Sequence, residues 1–190
     1  YVKLLPGARH LHYGMEAALA WRREKGYATG KHLMEKEWPQ SILIKTYVEA
    51  AKYCGLAKPN NRIQAQFSLQ YATCITLLTG ETNGTIFSDA YLNLSALQRF
   101  LDRTQLCSDG SQPGRWAEIT IVENNGQTSQ TSGSLLKGDP GNPLSQSDRM
   151  DKAVTLMGEH LGMEQTKHLI QHYLEAPLNE SLFPQTLNRA

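Results

Sequence analysis

Apolar residues recur at helical spacing through Leu11, Met15, Ala18 and Leu19, and the pattern closes with Arg22, Arg23 and Lys25 ahead of Gly26. One apolar face, cations where the helix dipole favours them, and a glycine stop predict a helix over about residues 9–25. Upstream, Pro6 restricts Leu5 to extended backbone and Gly7 permits a turn, so residues 2–5 read as a short strand or extended lead-in. Residues 27–40 form a polar connection. The β-branched run at 42–48 then predicts a strand, and 49–53 a short helix. The most apolar stretch, 63–79, carries apolar side chains on most sides and ends at Gly80, as a buried helix does.

Residues 88–92 and 95–104 read as two short helices, the second with Ser95 as its N-cap. Residues 116–122 alternate as a strand, Asn125-Gly126 is a two-residue turn signal, and 127–136 can return as the hairpin partner. Lys137-Gly138-Asp139-Pro140-Gly141-Asn142-Pro143 suits neither helix nor central strand and reads as an ordered loop or hinge. Ser145, with Asp148 in the first turn, caps a helix reaching about His160, and Gly162 separates it from another near 163–175. The tail holding Pro177 and Pro184 has weak order signals. This order lacks the repeating βαβ unit, so an α+β fold is expected: a two-layer α/β sandwich over residues 1–144, followed by a C-terminal helical segment, 145–190.

Charge narrows the function classes. In 190 residues, 19 Lys+Arg stand against 18 Asp+Glu, leaving a net charge of +1 and no dense basic run, which disfavours nucleic acid or an anionic membrane as a partner. The longest apolar-rich run, 67–78, is interrupted by Ser68, Gln70, Thr73 and Thr76 and is too short to span a bilayer. Three cysteines with no CxxC or Cys/His spacing fit a reducing compartment rather than a disulfide framework or zinc site. A soluble cytoplasmic protein is expected, or a mitochondrial one in a eukaryote. The chain opens on Tyr1 directly in a motif-like segment, as a piece of a longer protein would.

That opening segment gathers most of the candidate chemistry. Lys3, Arg9, His10 and His12 precede the first acidic residue, Glu16, and the last three sit at the start of the first helix. An ammonium, a guanidinium, two imidazoles and the unpaired N–H groups of a helix start all favour carboxylates. His12 and Glu16 are spaced i,i+4, so the carboxylate could hold one imidazole nitrogen; a solvated ion pair is the plainer reading. His168 and His172 share that spacing, but no third ligand or HExxH accompanies them, and no metal site is expected. The 137–143 loop lacks the G-x-x-x-x-G-K-[ST] arrangement of a phosphate cradle.

Lys3-Leu4-Leu5-Pro6-Gly7-Ala8-Arg9-His10-Leu11-His12, followed by Glu16-Ala17, resembles the K-x-x-P-x-x-R-H-x-H segment opening the second domain of the MmgE/PrpD family. Ala65-Gln66-Phe67-Ser68-Leu69-Gln70-Tyr71 is similar to the family's A-Q-F-S-x-x-Y, Leu77-Leu78-Thr79-Gly80 to its L-L-x-G, and residues 137–145 to its K-G-D-P-x-N-P-L-S loop. The family includes 2-methylcitrate dehydratases, cis-aconitate decarboxylases and iminodisuccinate epimerases. The resemblance implies a lid domain of a cofactor-independent hydro-lyase acting on a 2-methylcitrate- or citrate-like polycarboxylate. It implies Lys3, His12 and Tyr71 as catalytic residues, and the anion-favouring start of the first helix adds Arg9 and His10 as substrate-binding ones. It further implies a homodimer and a preceding all-helical domain on which the last helices would dock through Leu156, Leu161, Leu169 and Leu174. Some decarboxylase-type members carry an active-site histidine five residues after the lysine, where this chain has Ala8. Decarboxylation or epimerisation on the same scaffold, and a non-catalytic binding or assembly module, are the rival readings.

Overall fold

The first helix, α1 (Arg9–Glu24), is the element on which the rest of the domain is arranged. In the computed structural model, which describes residues 3–175, it buries Leu11, Tyr13, Met15, Ala17, Ala18 and Trp21. Against it lie α4 (Leu69–Thr79) and the end of a four-stranded mixed sheet of order β2-β1-β3-β4. The strands are β1 (Ser41–Thr46), β2 (Thr104–Ser108), β3 (Ala117–Val122) and β4 (Thr128–Gly133), with β1 parallel to β2 and antiparallel to β3. Short helices α2 (Val48–Cys54), α3 (Arg62–Ala65), α5 (Asp89–Leu92) and α6 (Ser95–Asp102) fill the connections. The expected α+β class is the observed one.

Alternation fixes which face of the sheet is covered. Ile42, Ile44 and Thr46 on β1 stand opposite Ile121, Ile119 and Ala117 on β3, and all six are buried, while Ser41, Leu43 and Gln105 face outward and are exposed. β4 is nearly devoid of apolar residues, yet its inward positions still hold α1. Trp21 Nε1 donates to Ser129 Oγ at 2.8 Å and Thr131 Oγ1 to the Ala17 carbonyl at 2.8 Å. At Gly133 the helix comes closest: a Cβ there would lie 2.3 Å from the Tyr13 carbonyl oxygen. Hydrogen bonds and a bare backbone thus replace greasy packing along this edge.

The α1–α4 crossing depends on a second close approach. Gly14 lies mid-helix, where glycine is unfavourable, but a Cβ on it would stand 2.2 Å from Thr73 Oγ1 and 2.8 Å from Leu69 Cδ1. All eleven residues of α4 are buried, as its all-round apolar character predicts. Arg22 reaches the far end of this pair, donating to the carbonyls of Leu77, Ala28 and Lys31 at 2.7, 2.7 and 2.6 Å. One of these carbonyls, that of Leu77, lies in the last turn of α4, where a cation complements the helix dipole.

Several expectations require correction. The 63–79 run is two helices, because Gln66–Ser68 break the ladder and Ser68 Oγ caps α4 by accepting from the Tyr71 N–H at 3.1 Å. Ser95 is inside α6, whose cap is Leu94 without a side-chain bond. The hairpin closes through the three residues Asn124-Asn125-Gly126, since Glu123 and Gln127 still pair and Gly126 takes φ 80°. β2 went unforeseen: five residues, mostly polar, on a sheet edge one residue after α6 offer no alternation to read. Residues 3–5 are not a strand, and Val2 lies outside the described residues, as does the proline-bearing tail.

The chain divides into two compact units, residues 3–142 and a second beginning at Pro143. The second holds α7 (Gln146–Leu161), opened by the expected Ser145/Asp148 capping box, and α8 (Met163–Glu175), which packs on it. Leu156 is 64% exposed and Met163 57%, whereas Leu161 and Leu169 are half-buried; the Leu174 side chain lies outside the described residues. Among the described residues no helix is long and apolar enough to cross a membrane.

The α1–α4 contact makes a direct prediction. Gly14→Ala should lower stability by about 1–3 kcal/mol despite alanine's higher helix propensity, because the added methyl overlaps Thr73. Adding Thr73→Ala should recover more than half of that loss in urea unfolding.

Candidate functional site

The opening motif lies at the junction of three segments distant in sequence. Gly7, at φ 80°, turns the chain into α1, and a Cβ there would meet Leu11 Cδ1, Phe87 Cζ and the Gln66 carbonyl at 3.0–3.3 Å. The Ala8 N–H donates to that Gln66 carbonyl at 3.0 Å, tying the turn to the segment before α4. Arg9, only 8% exposed, forms an ion pair through Nη2 with Asp139 of the 137–143 loop. That loop is itself fixed, for the Gly138 N–H donates to the Asn142 carbonyl at 2.7 Å and the Asn142 N–H to the Asp139 carbonyl at 2.9 Å. The segments that carry the sequence motifs thus meet at the start of α1.

His12 is locked behind this junction. It is 1% exposed, and Arg9 Nη1 donates to its Nδ1 at 3.2 Å. Guanidinium nitrogens only donate, so Nδ1 is the acceptor and Nε2 carries the proton, which it gives to the Pro6 carbonyl at 3.1 Å. Burial, followed by the adjacent Arg9 charge, lowers its pKa to about 4, with Lys3 adding to the effect and the Pro6 bond and Asp139 opposing it. Glu16, expected as a partner for His12, pairs instead with Arg23 at 2.9 Å. The imidazole points back toward the turn that precedes its helix, so the carboxylate one turn on is not its neighbour.

Lys3 is exposed, and its Nζ donates to the Gly7 carbonyl at 3.0 Å, which folds the ammonium back over the turn. His10 is half-buried and meets the Tyr47 hydroxyl through Nδ1. Tyr71 is fully buried: its hydroxyl donates to the Ile86 carbonyl at 2.6 Å and its ring stacks on Phe87 with centroids 6.1 Å apart. Burial raises its pKa. Since Phe87 also backs Gly7, the phenol sits one aromatic layer behind the turn. Tyr71 therefore faces the interior of the domain, where α4 is packed on every side, while Lys3 is exposed. Arg9 is likewise engaged with Asp139 and His12 rather than turned to solvent.

Two residues of this neighbourhood escaped the sequence reading. Asp139 was legible only as part of a hinge-like loop, and nothing local marks it as the counter-ion of Arg9. Tyr47 read as the end of a strand, while in fact it precedes α2 and aims its hydroxyl at α1.

The lowered His12 pKa has a defined consequence for stability. Below its ordinary value of 6.5 the unfolded chain takes up a proton that folded His12 refuses until about pH 4, so the contribution is complete above 6.5 and is lost as pH falls to 4. The loss amounts to about 3 kcal/mol. Urea unfolding across this range should show it, and His12→Asn should flatten that part of the profile. A wild-type profile identical to that of the variant would contradict the assignment.

No curated protein matches the chain. The sequence profile of the MmgE/PrpD C-terminal domain matches residues 6–176, which spans the opening turn, the sheet, the 137–143 loop and both terminal helices. The chain belongs to the MmgE/PrpD family and carries its C-terminal domain.

Proposed function

We propose that this domain supplies the lysine-bearing wall of the active site of a hydro-lyase, which dehydrates a 2-methylcitrate- or citrate-like polycarboxylate. The observation that supports it best is the exposed Lys3 ammonium, folded over a glycine turn at the start of a helix whose first turn contains no acidic residue. Positive charge, helix-start N–H groups and a rigid support meet there, and a substrate with several carboxylates matches all three.

Elimination of water beside a carboxylate passes through a carbanion or enolate whose charge must be stabilised. A lysine does this without a proton transfer, by standing where negative charge develops. In this reading Lys3 binds a substrate carboxylate or the departing hydroxyl, and His10 completes the binding surface. Arg9 and His12 hold the turn in register with the 137–143 loop and the segment before α4, so their contribution is the placement of Lys3. Tyr71 supports the same turn through Phe87, and reaches substrate only by exchanging the Ile86 carbonyl for it. The whole enzyme is read as a homodimer in which a helical domain faces this one and the exposed Leu156 side of α7 docks on it.

Ala8, in place of the histidine of decarboxylase-type members, favours dehydration over loss of carbon dioxide. Assay of the full-length enzyme on 2-methylcitrate, cis-aconitate and iminodisuccinate separately should give efficient turnover with the first. Lys3→Ala should reduce kcat/KM by two or more orders of magnitude while leaving the fold intact. Turnover unchanged by Lys3→Ala would leave only a binding or assembly role, and preferred turnover of either other substrate would replace the dehydratase reading.

A further inference from the structure

His10 and His12 are two positions apart on α1, which turns their side chains by roughly 200° from each other. They cannot do the same work. His12 has both ring nitrogens engaged inside the domain, whereas His10 is half-buried and engages one: Nδ1, with Tyr47 Oη. Among the described residues nothing is hydrogen-bonded to His10 Nε2. We propose that His10 is the histidine that meets the substrate, and that Tyr47 is its positioning residue, holding it as the Nε2–H tautomer so that this N–H donates to a substrate carboxylate or hydroxyl. The inference rests on the polycarboxylate reading and adds to it the donor atom, its tautomer and the residue that sets both.

Tyr47 is held rigidly where its hydroxyl meets α1. It is 5% exposed, precedes α2 at the end of β1, and is fixed edge-on against Tyr13 with ring centroids 6.1 Å apart. A buried phenol must find an acceptor for its proton, and among the described residues His10 Nδ1 is the acceptor within reach. With the phenol donating, Nδ1 is the lone-pair nitrogen and Nε2 bears hydrogen. The rings of Tyr47 and Tyr53 lie 5.6 and 6.1 Å from that of His10 and restrict its rotation. The charged groups acting on the imidazole are Arg115, which disfavours a second proton, and Glu49, which favours it more weakly. Burial is the largest influence and lowers the pKa of His10, so the ring is neutral near pH 7. Burial also raises that of Tyr47, which keeps its proton to donate.

The test uses the full-length enzyme with 15N-labelled histidine. In the wild type the His10 side-chain 15N signals should report one tautomer with hydrogen on Nε2. Tyr47→Phe retains the ring contacts and removes only the hydroxyl, so it should convert that pattern to a mixture of tautomers and raise KM for the polycarboxylate several-fold with kcat less affected. His10→Ala should raise KM about tenfold or more, and His10→Gln, which keeps an N–H near the place of Nε2, should recover most of the loss. If Tyr47→Phe does not fold, the His10 pair alone decides. Wild-type turnover with KM unchanged in His10→Ala and Tyr47→Phe overturns the inference and leaves the polycarboxylate reading standing. Absence of wild-type turnover is the failure of that reading, and the spectrum then decides the pair: a His10 pattern indifferent to Tyr47→Phe overturns it, and loss of the single tautomer supports it.

Discussion

Arg9 is the fixed point from which the rest of this domain's chemistry is suspended. Its guanidinium is almost wholly buried, and it pairs with Asp139 while donating to His12, which in turn donates to the Pro6 carbonyl. A buried charge without a counter-ion costs several kcal/mol, so the arginine obliges the 137–143 loop to stay where its carboxylate is needed. The same contact holds a neutral histidine in a single tautomer, and that histidine clamps the turn before α1. Three links therefore set the path of the backbone between Lys3 and the helix.

The surrounding fold serves this arrangement through close approach. Gly14 lets α1 settle on α4, and Gly133 lets it settle on β4, so the helix is gripped from two sides with little room to slide. Since the Ala8 N–H is tied to the Gln66 carbonyl just ahead of α4, the opening turn inherits the position of the most buried helix in the domain. A surface lysine gains little from such support. A lysine proposed to meet a developing negative charge needs its place held to within about 1 Å, and gains a great deal.

Much of the architecture was legible from pattern alone. The amphipathic stripe of α1, the hairpin strands and the capped helix after Ser145 each carry a local signal strong enough to survive tertiary packing. β2 had no such signal, because a short polar edge strand owes its existence to β1 beside it. The candidate site was legible in composition and not in orientation. Lys3, Arg9, His10 and His12 could be gathered from sequence, yet which of them faces inward depends on Asp139 and Tyr47, 130 and 37 residues away from the side chains they hold. Tyr71 shows the same limit: a motif gives the residue, while the packing of α4 and the Ile86 carbonyl decide where its hydroxyl points.

The MmgE/PrpD C-terminal domain matches residues 6–176, a span that contains the segments touching at the start of α1. The central claim is that Arg9 and Asp139 are coupled and together hold this junction. A double-mutant cycle with Arg9→Met and Asp139→Leu, read by urea unfolding, measures that coupling most directly. An interaction energy of about 3 kcal/mol or more, with each single substitution costing more than the pair of them together, is the result expected here. Additive losses agreeing to within about 0.5 kcal/mol would show the two charges to be independent, and the account would fail.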